Sequence, residues 1–210
     1  MRIAFDLDGT LVDSITHIHA SVSRALEDLI LPAIDQPTVQ SFVGNGLPEA
    51  MRRVLDHLDL SQDLHAALCK ATMGHYISLP SDPKSVYPHV TDALAALQAQ
   101  GHSLSVCTNK PFQAALNVLR DIQLLPYFDL IIGGDSLPNR KPEPQMLTAC
   151  APDLYVGDSE VDAATAQAAN IPFLLFTEGY RKTPVDELHH DAAFSSYKDF
   201  HSFVDKYLPG

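Results

Sequence analysis

Short apolar runs alternating with amphipathic stretches constrain this chain more than any other feature. The runs are Ile3 to Asp6, Leu104 to Thr108, Leu130 to Gly133, Leu154 to Gly157 and Phe173 to Phe176, with Ala192 to Phe194 as a short edge candidate. Between them lie Val90 to Gln100, Phe112 to Ile122 and Val161 to Ala169, which carry apolar residues at helical spacing. Gly101 and Asn170 follow two of these stretches, where a helix ends most easily in the left-handed conformation. Strand–helix alternation of this kind predicts an α/β fold, a parallel sheet with helices on both faces. Such sheets bind ligands beyond the carboxyl ends of their strands.

One segment breaks the rhythm. From Ile15 to Lys84 the pattern is helical throughout, over His17 to Leu29, Thr38 to Phe42, Pro48 to His57 and Leu64 to Leu79. Asp13-Ser14 and Pro80-Ser81-Asp82-Pro83 bracket it. The expectation is an all-α domain over residues 15–84, inserted after the first strand of an α/β core made of residues 1–14 and 85–210, with two short connections acting as a hinge pair. No internal repeat or low-complexity segment is present, and Tyr197 to Tyr207 reads as a closing helix.

Composition narrows the partners. With 210 residues the chain is long enough for a substantial core. A net charge of −12 argues against nonspecific binding to nucleic acid or to anionic membranes. An anionic ligand would need a metal or a local group of cations to recruit it. Three cysteines without close spacing suit a reducing cytoplasm rather than a disulfide frame. No signal-peptide core and no apolar run long enough for a transmembrane helix can be found.

The expected strand ends carry the chemistry. Asp6 and Asp8 follow the first run, and alternation would point both carboxylates to one side. Like charges so close are costly unless a cation or a proton compensates. Thr108-Asn109-Lys110 ends the second run; a hydroxyl and free amides there suit phosphate oxygens, although the same residues could simply cap the next helix. Lys141 lies in Asn139-Arg140-Lys141-Pro142-Glu143-Pro144, where a loop lysine is ordinarily just solvated. Asp158 ends the fourth run with Asp162 four residues on, and acids at a helix start are favoured by its dipole alone. Taken together the four segments would gather Asp6, Asp8 and Asp158 at one sheet edge. Such an anion cluster calls for a divalent ion with hard oxygen ligands, for which Mg²⁺ is suited. Lys141 and Thr108 would then face a transferring phosphoryl group.

These segments, in this order, resemble the four motifs of the haloacid-dehalogenase-like (HAD) superfamily and, within it, the phosphoglycolate phosphatase group. The matches are Asp6-Leu7-Asp8-Gly9-Thr10, Thr108-Asn109-Lys110, Lys141-Pro142 and Gly157-Asp158-Ser159 with Asp162. The resemblance covers nearly the whole chain, including the helical cap between the first and second motifs. It implies a Rossmann-like HAD core and a phosphoric monoester hydrolase acting on a small phosphorylated metabolite. Asp6 would be the nucleophile that becomes an aspartyl-phosphate, and Asp8 the proton donor and acceptor. Thr108, Asn109 and Lys141 would bind phosphate, with Lys141 also catalytic. Mg²⁺ would be held by Asp6, the backbone carbonyl of Asp8 and Asp158, with Asp162 acting from behind through metal-bound water or by orienting Lys141.

Finer features bear on the substrate. Phe42-Val43-Gly44-Asn45-Gly46-Leu47 resembles the cap loop that phosphoglycolate phosphatases present to the site, so Gly44, Asn45 and Gly46 are expected substrate contacts; a plain helix–helix turn is the alternative. One of Arg52 and Arg53 could meet a substrate carboxylate, since neighbours on a helix face different ways. The substrate expected is 2-phosphoglycolate; another small phosphate ester or pyrophosphate is the alternative. A β-phosphoglucomutase type would carry Glu where Gly157 stands, and a non-catalytic binding module should show a broken motif. The segment from Pro142 to Gly157 is shorter than in related phosphatases, leaving Gln145 to Cys150 as a brief helix and thinning one face of the core. Either a monomer or a homodimer is compatible with this reading.

Overall fold

The computed structural model describes residues 1–207. Its centre is a six-stranded, wholly parallel sheet. The strands are β1 (Arg2–Phe5), β2 (Ser103–Cys107), β3 (Leu130–Ile132), β4 (Leu154–Gly157), β5 (Phe173–Phe176) and β6 (Ala192–Phe194), ordered β3-β2-β1-β4-β5-β6. The order reverses direction between β1 and β4, and open α/β sheets form their ligand crevice at such a switch point. All of the anticipated strands form, each within one residue of the expected range.

Helices follow in chain order as α1 (Ile15–Asp28), α2 (Gln36–Gln40), α3 (Leu47–His57), α4 (His65–Ser78), α5 (Val90–Ala99), α6 (Phe112–Asp121), α7 (Gln145–Cys150), α8 (Glu160–Ala169) and α9 (His201–Val204). The pleat divides the core. Ile3, Phe5, Leu104, Val106, Val156, Leu174 and Phe176 face α5, α6 and the closing segment in one cluster. Ala4, Cys107, Tyr155, Phe173 and Leu175 face α7 and α8 in another. Strands covered on both sides read as continuous apolar runs rather than alternating ones. The short α7 still seals its face, with Met146 and Leu147 fully buried.

The segment after β1 builds a third cluster of its own from Ile15, Val22, Leu26, Met51, Val54, Leu55 and Leu68, joining α1, α3 and α4. Its two connections to the sheet lie side by side: Asp13 N–H donates to Ser85 O at 2.8 Å, and Tyr87 N–H to Leu11 O at 3.1 Å. Among the described residues no helix is long and apolar enough to cross a membrane.

Two expectations need correction. β1 stops at Phe5, so Asp6 and Asp8 sit in the following loop rather than on the strand. Asp6 N–H still continues the ladder to Val156 O at 2.9 Å, before Leu11 and Val12 fold back on Leu7 O. The closing segment is not one helix: α9 spans only His201–Val204 between 3-10 turns at Tyr197–Asp199 and Asp205–Tyr207. Its buried anchors Tyr197 and Phe200 are spaced three apart, the period of a 3-10 turn.

Candidate active site

The loops after β1, β2 and β4 meet at one edge of the sheet, and α1, α3 and α4 stand over them. Between the two lies a cavity of about 370 Å³ whose wall includes Asp6, Asp8, Thr108, Asn109, Lys110 and Asp158 from the sheet side, and Gly44, Asn45 and Gly46 from the helical side. Of the anticipated site residues, only Lys141 and Asp162 are absent from that wall.

Those two lie directly beneath it. Lys141 Nζ donates to Asp162 Oδ1 at 2.7 Å and to Tyr155 Oη at 2.9 Å, and stands 2.9 Å from Asp6 Oδ1. Its side chain is 1% exposed, so it reaches the cavity only through Asp6. Asp162 is saturated: Oδ1 also accepts from Tyr155 Oη at 2.6 Å, while Oδ2 accepts from Ser159 Oγ at 2.6 Å and from the amides of Asp158 and Ser159. Ser159 and Asp162 form a capping box at the start of α8. Asp162 thus caps α8 and hydrogen-bonds Lys141 at once.

Burial and charge set the protonation of this group. Burial pushes the Asp6 carboxyl up to about 6, although Lys141 pulls against it. Burial also drives Asp158 well above the usual carboxylate range, with Asp162 and Asp6 adding repulsion. For Asp162 burial is outweighed by Lys141 and by hydrogen bonds from Lys141, Ser159 and Tyr155, which hold it below its ordinary value. Both Lys110 and Lys141 resist the downward push of burial, because Asp8 and Asp162 respectively keep them protonated.

Oxygens of Asp6, Asp158 and Asp162 all lie within 4.8 Å of one another, a buried acidic cluster that can hold a cation. Since Asp162 is committed to Lys141, Tyr155 and Ser159, the free ligands are Asp6 and Asp158. Asp6 Oδ1 faces the Lys141 ammonium at 2.9 Å, and the Asp6 carboxylate also lines the cavity. Asp158 is steadied by Thr10 Oγ1 at 2.8 Å and by the Tyr180 amide at 2.6 Å. A Cβ at Gly9 would fall 2.5 Å from Asp158 Oδ2, so only glycine lets the first loop approach this carboxylate. Hard oxygen donors in this number, with room for further ligands on the cavity side, fit a divalent cation such as Mg²⁺.

Asp8 turns to different partners. Its Oδ2 lies 2.7 Å from Lys110 Nζ, and its Oδ1 accepts from Ser14 Oγ at 2.5 Å. Thr108 Oγ1 accepts weakly from Lys110 N–H at 3.3 Å and is otherwise available to the cavity. Asn109 lines the cavity, and its side-chain amide donates to Gly44 O at 2.9 Å and Lys141 O at 3.0 Å, tying the helical loop to the core. Gly46 precedes α3 at φ +82° on the cavity wall. Arg53 lines the cavity, whereas Arg52 is held outside by Glu49 and Asp56.

The sequence reading assigned no role to Lys110, Tyr155, Thr10, Ser14 or Tyr180. Lys110 stood inside a quoted motif and could have been weighed as a cation at a strand end. Tyr155 and Tyr180 gave no signal, because one hides in an apolar run and the other in a loop far from the motifs.

The comparisons with known proteins agree with this geometry. Residues 3–176 match the family model described as haloacid dehalogenase-like hydrolase. A phosphoglycolate phosphatase from Cereibacter sphaeroides (strain ATCC 17029 / ATH 2.4.9) is 45% identical, covering 98% of each chain. One from Rhodobacter capsulatus is 38% identical over 97% of this chain and 96% of its own. The crystal structure of a "predicted phosphoglycolate phosphatase" from Haemophilus somnus 129PT superposes with a TM-score of 0.88 at 30% identity, covering 96% of both chains. The fold, the four strand-end motifs and relatives along its full length place the chain among the haloacid dehalogenase-like hydrolases.

Proposed function

We propose that the protein is a Mg²⁺-dependent phosphatase that hydrolyses 2-phosphoglycolate to glycolate and inorganic phosphate. The carrying observation is the buried Asp6–Lys141–Asp162 assembly opening, through Asp6 and Asp158, onto the cavity beneath the helical segment, in a chain 45% identical to a phosphoglycolate phosphatase. Residues 15–84 serve as the cap domain, and residues 1–14 with 85–210 as the core. Cap and core exclude water from the substrate when they close on it.

In this reading an Asp6 oxygen attacks the phosphorus and the bond to the leaving oxygen breaks. Asp8 gives that oxygen its proton, so glycolate departs and an aspartyl-phosphate remains on Asp6. Water then attacks the phosphorus, Asp8 takes its proton, and phosphate leaves with the Asp6 carboxylate restored. Lys141 keeps Asp6 oriented and offsets its charge. The Thr108 hydroxyl and the main chain of Asn109 receive the phosphoryl oxygens. Asp6, Asp158 and the Asp8 carbonyl would hold Mg²⁺, which would supply charge neutralisation. Three free cysteines and a small phosphorylated substrate fit a cytoplasmic location.

Gly157 favours hydrolysis over phosphoglucomutase-type transfer, because a Cβ at that position would lie 2.5 Å from Asp162 Cβ, and a glutamate there has no room. The test is a panel of small phosphate monoesters and pyrophosphate assayed with Mg²⁺. The highest kcat/KM is expected for 2-phosphoglycolate. Hydrolysis of p-nitrophenyl phosphate without 2-phosphoglycolate turnover would leave a phosphatase of another substrate.

A further inference from the structure

The cavity contains a cation that this mechanism does not use. Three basic side chains reach the wall: Lys110, Arg53 and Lys182. Lys182 is exposed, and Arg53 spends its Nε–H on Glu49 Oε1 at 2.8 Å with its side chain 28% exposed. Lys110 is different, with a side chain 6% exposed and Asp8 as its one ion-pair partner among the described residues. Its ammonium rests over the Tyr76 ring, 4.4 Å from the centroid, a placement that favours a cation. Tyr76 comes from α4, lines the same cavity and is only 8% exposed, so its ring holds the ammonium at the cavity wall.

We propose that Lys110, seated on Tyr76 beside Asp8, recognises the carboxylate of the leaving group, and thereby selects phosphate monoesters of α-hydroxy acids. The inference rests on the proposed phosphatase reading and deepens it. In such an ester the carboxylate is bonded to the carbon that bears the ester oxygen, so its oxygens lie roughly 3 Å from that oxygen at ordinary bond lengths. Asp8 must touch the ester oxygen to deliver its proton. Lys110 Nζ, 2.7 Å from Asp8 Oδ2, is therefore within reach of the carboxylate in the same pose. An ammonium suits this task as a compact point charge with several donors.

The test compares 2-phosphoglycolate with 2-hydroxyethyl phosphate, which replaces the carboxylate by a neutral group of similar size. Wild-type enzyme is expected to prefer 2-phosphoglycolate, and Lys110→Met to lower that preference by at least about tenfold, the scale of one charge-assisted hydrogen bond. Lys110→Arg, which keeps the charge, should restore part of it. Equal loss on both esters in Lys110→Met would assign Lys110 to Asp8 alone and overturn the inference. Product inhibition of the wild type gives a readout independent of any variant's folding: glycolate should compete with substrate at least about tenfold better than ethylene glycol, and equal inhibition would overturn the proposal. A wild type that hydrolyses neither ester contradicts the proposed function itself. One that hydrolyses 2-phosphoglycolate with an unchanged ratio in Lys110→Met contradicts only the role of Lys110.

Discussion

The two sides of the cavity are built on opposite principles. On the sheet side, Asp6, Asp158, Asp162 and Lys141 are held by one another and by Thr10, Ser159, Tyr155 and main-chain amides, almost without contact with water. On the helical side, the wall is mostly Val22, Val39, Val43, Leu47, Met51 and Val54, part of a separate apolar cluster. A buried charged network tolerates no loss of a member, because each partner left behind is an unpaired polar group. Apolar packing degrades gradually when a side chain is trimmed. The sheet side therefore fixes a single chemistry, while the helical side can be reshaped to fit a leaving group.

Changes that probe this contrast should rank accordingly. Asp6→Asn is nearly isosteric and should lower kcat by at least about a thousandfold while circular dichroism stays native, since it removes the nucleophile from a concerted group. Chelation by EDTA should stop turnover to a similar extent, with Mg²⁺ restoring it. Asp162→Ala strips Lys141 of its best-aligned carboxylate and leaves Tyr155 and Ser159 short of an acceptor. It should cost about 3–5 kcal/mol of stability in a denaturant titration. If that loss is under 1 kcal/mol, as for ordinary surface changes, the contrast between the two sides fails.

Acidity offers a third probe. Burial raises Asp6 to about 6, above its ordinary value, so the folded protein binds this proton more tightly than the unfolded chain does. The stability it contributes is complete below about pH 4 and is lost as pH rises through about 6. In metal-free protein, the difference in thermal midpoint between wild type and Asp6→Asn should change across that window, to the disadvantage of wild type at the higher pH. Mg²⁺ should raise the wild-type midpoint more at pH 7 than at pH 5. A difference that is flat with pH would remove the electrostatic account of Asp6.

The smallest effects belong to the outer helical surface. Arg52→Ala breaks exposed pairs with Glu49 and Asp56 and should change stability by less than about 1 kcal/mol, with kcat/KM unaltered. Arg53→Ala, one residue on but facing the cavity, should raise KM a few-fold at most. If Arg53→Ala instead abolishes the preference for a carboxylated ester, recognition of that group lies on the helical side and not at Lys110.

Much of this molecule was legible in its sequence. The apolar runs gave every strand, because strands buried on both faces must be apolar along their length. The motif residues Asp6, Asp8, Thr108 and Asp158 were legible because each lies just beyond the end of an apolar run, and parallel strands bring such ends to a common edge. Lys141 is the instructive case. The sequence singled it out, yet its ammonium sits beneath Asp6 instead of on the cavity wall. The bridge that the Asn109 side-chain amide makes between Gly44 and Lys141 joins segments far apart in the chain, and nothing in the local sequence announced it.

The sequence alone thus determined which residues would gather and what kind of sheet would gather them, since periodicity and strand-end position are local properties. Only the tertiary structure decided how those residues divide their partners. Tyr155 joins the Lys141–Asp162 pair from within an apolar strand, and Tyr180 reaches Asp158 through its amide and Asp13 Oδ1 through its hydroxyl at 2.7 Å. Lys110 finds Asp8 on one side and the ring of Tyr76 on the other. Hydrogen bonds and ion pairs are set by distances of a few ångströms between segments that sequence spacing leaves free, and packing alone fixes those distances.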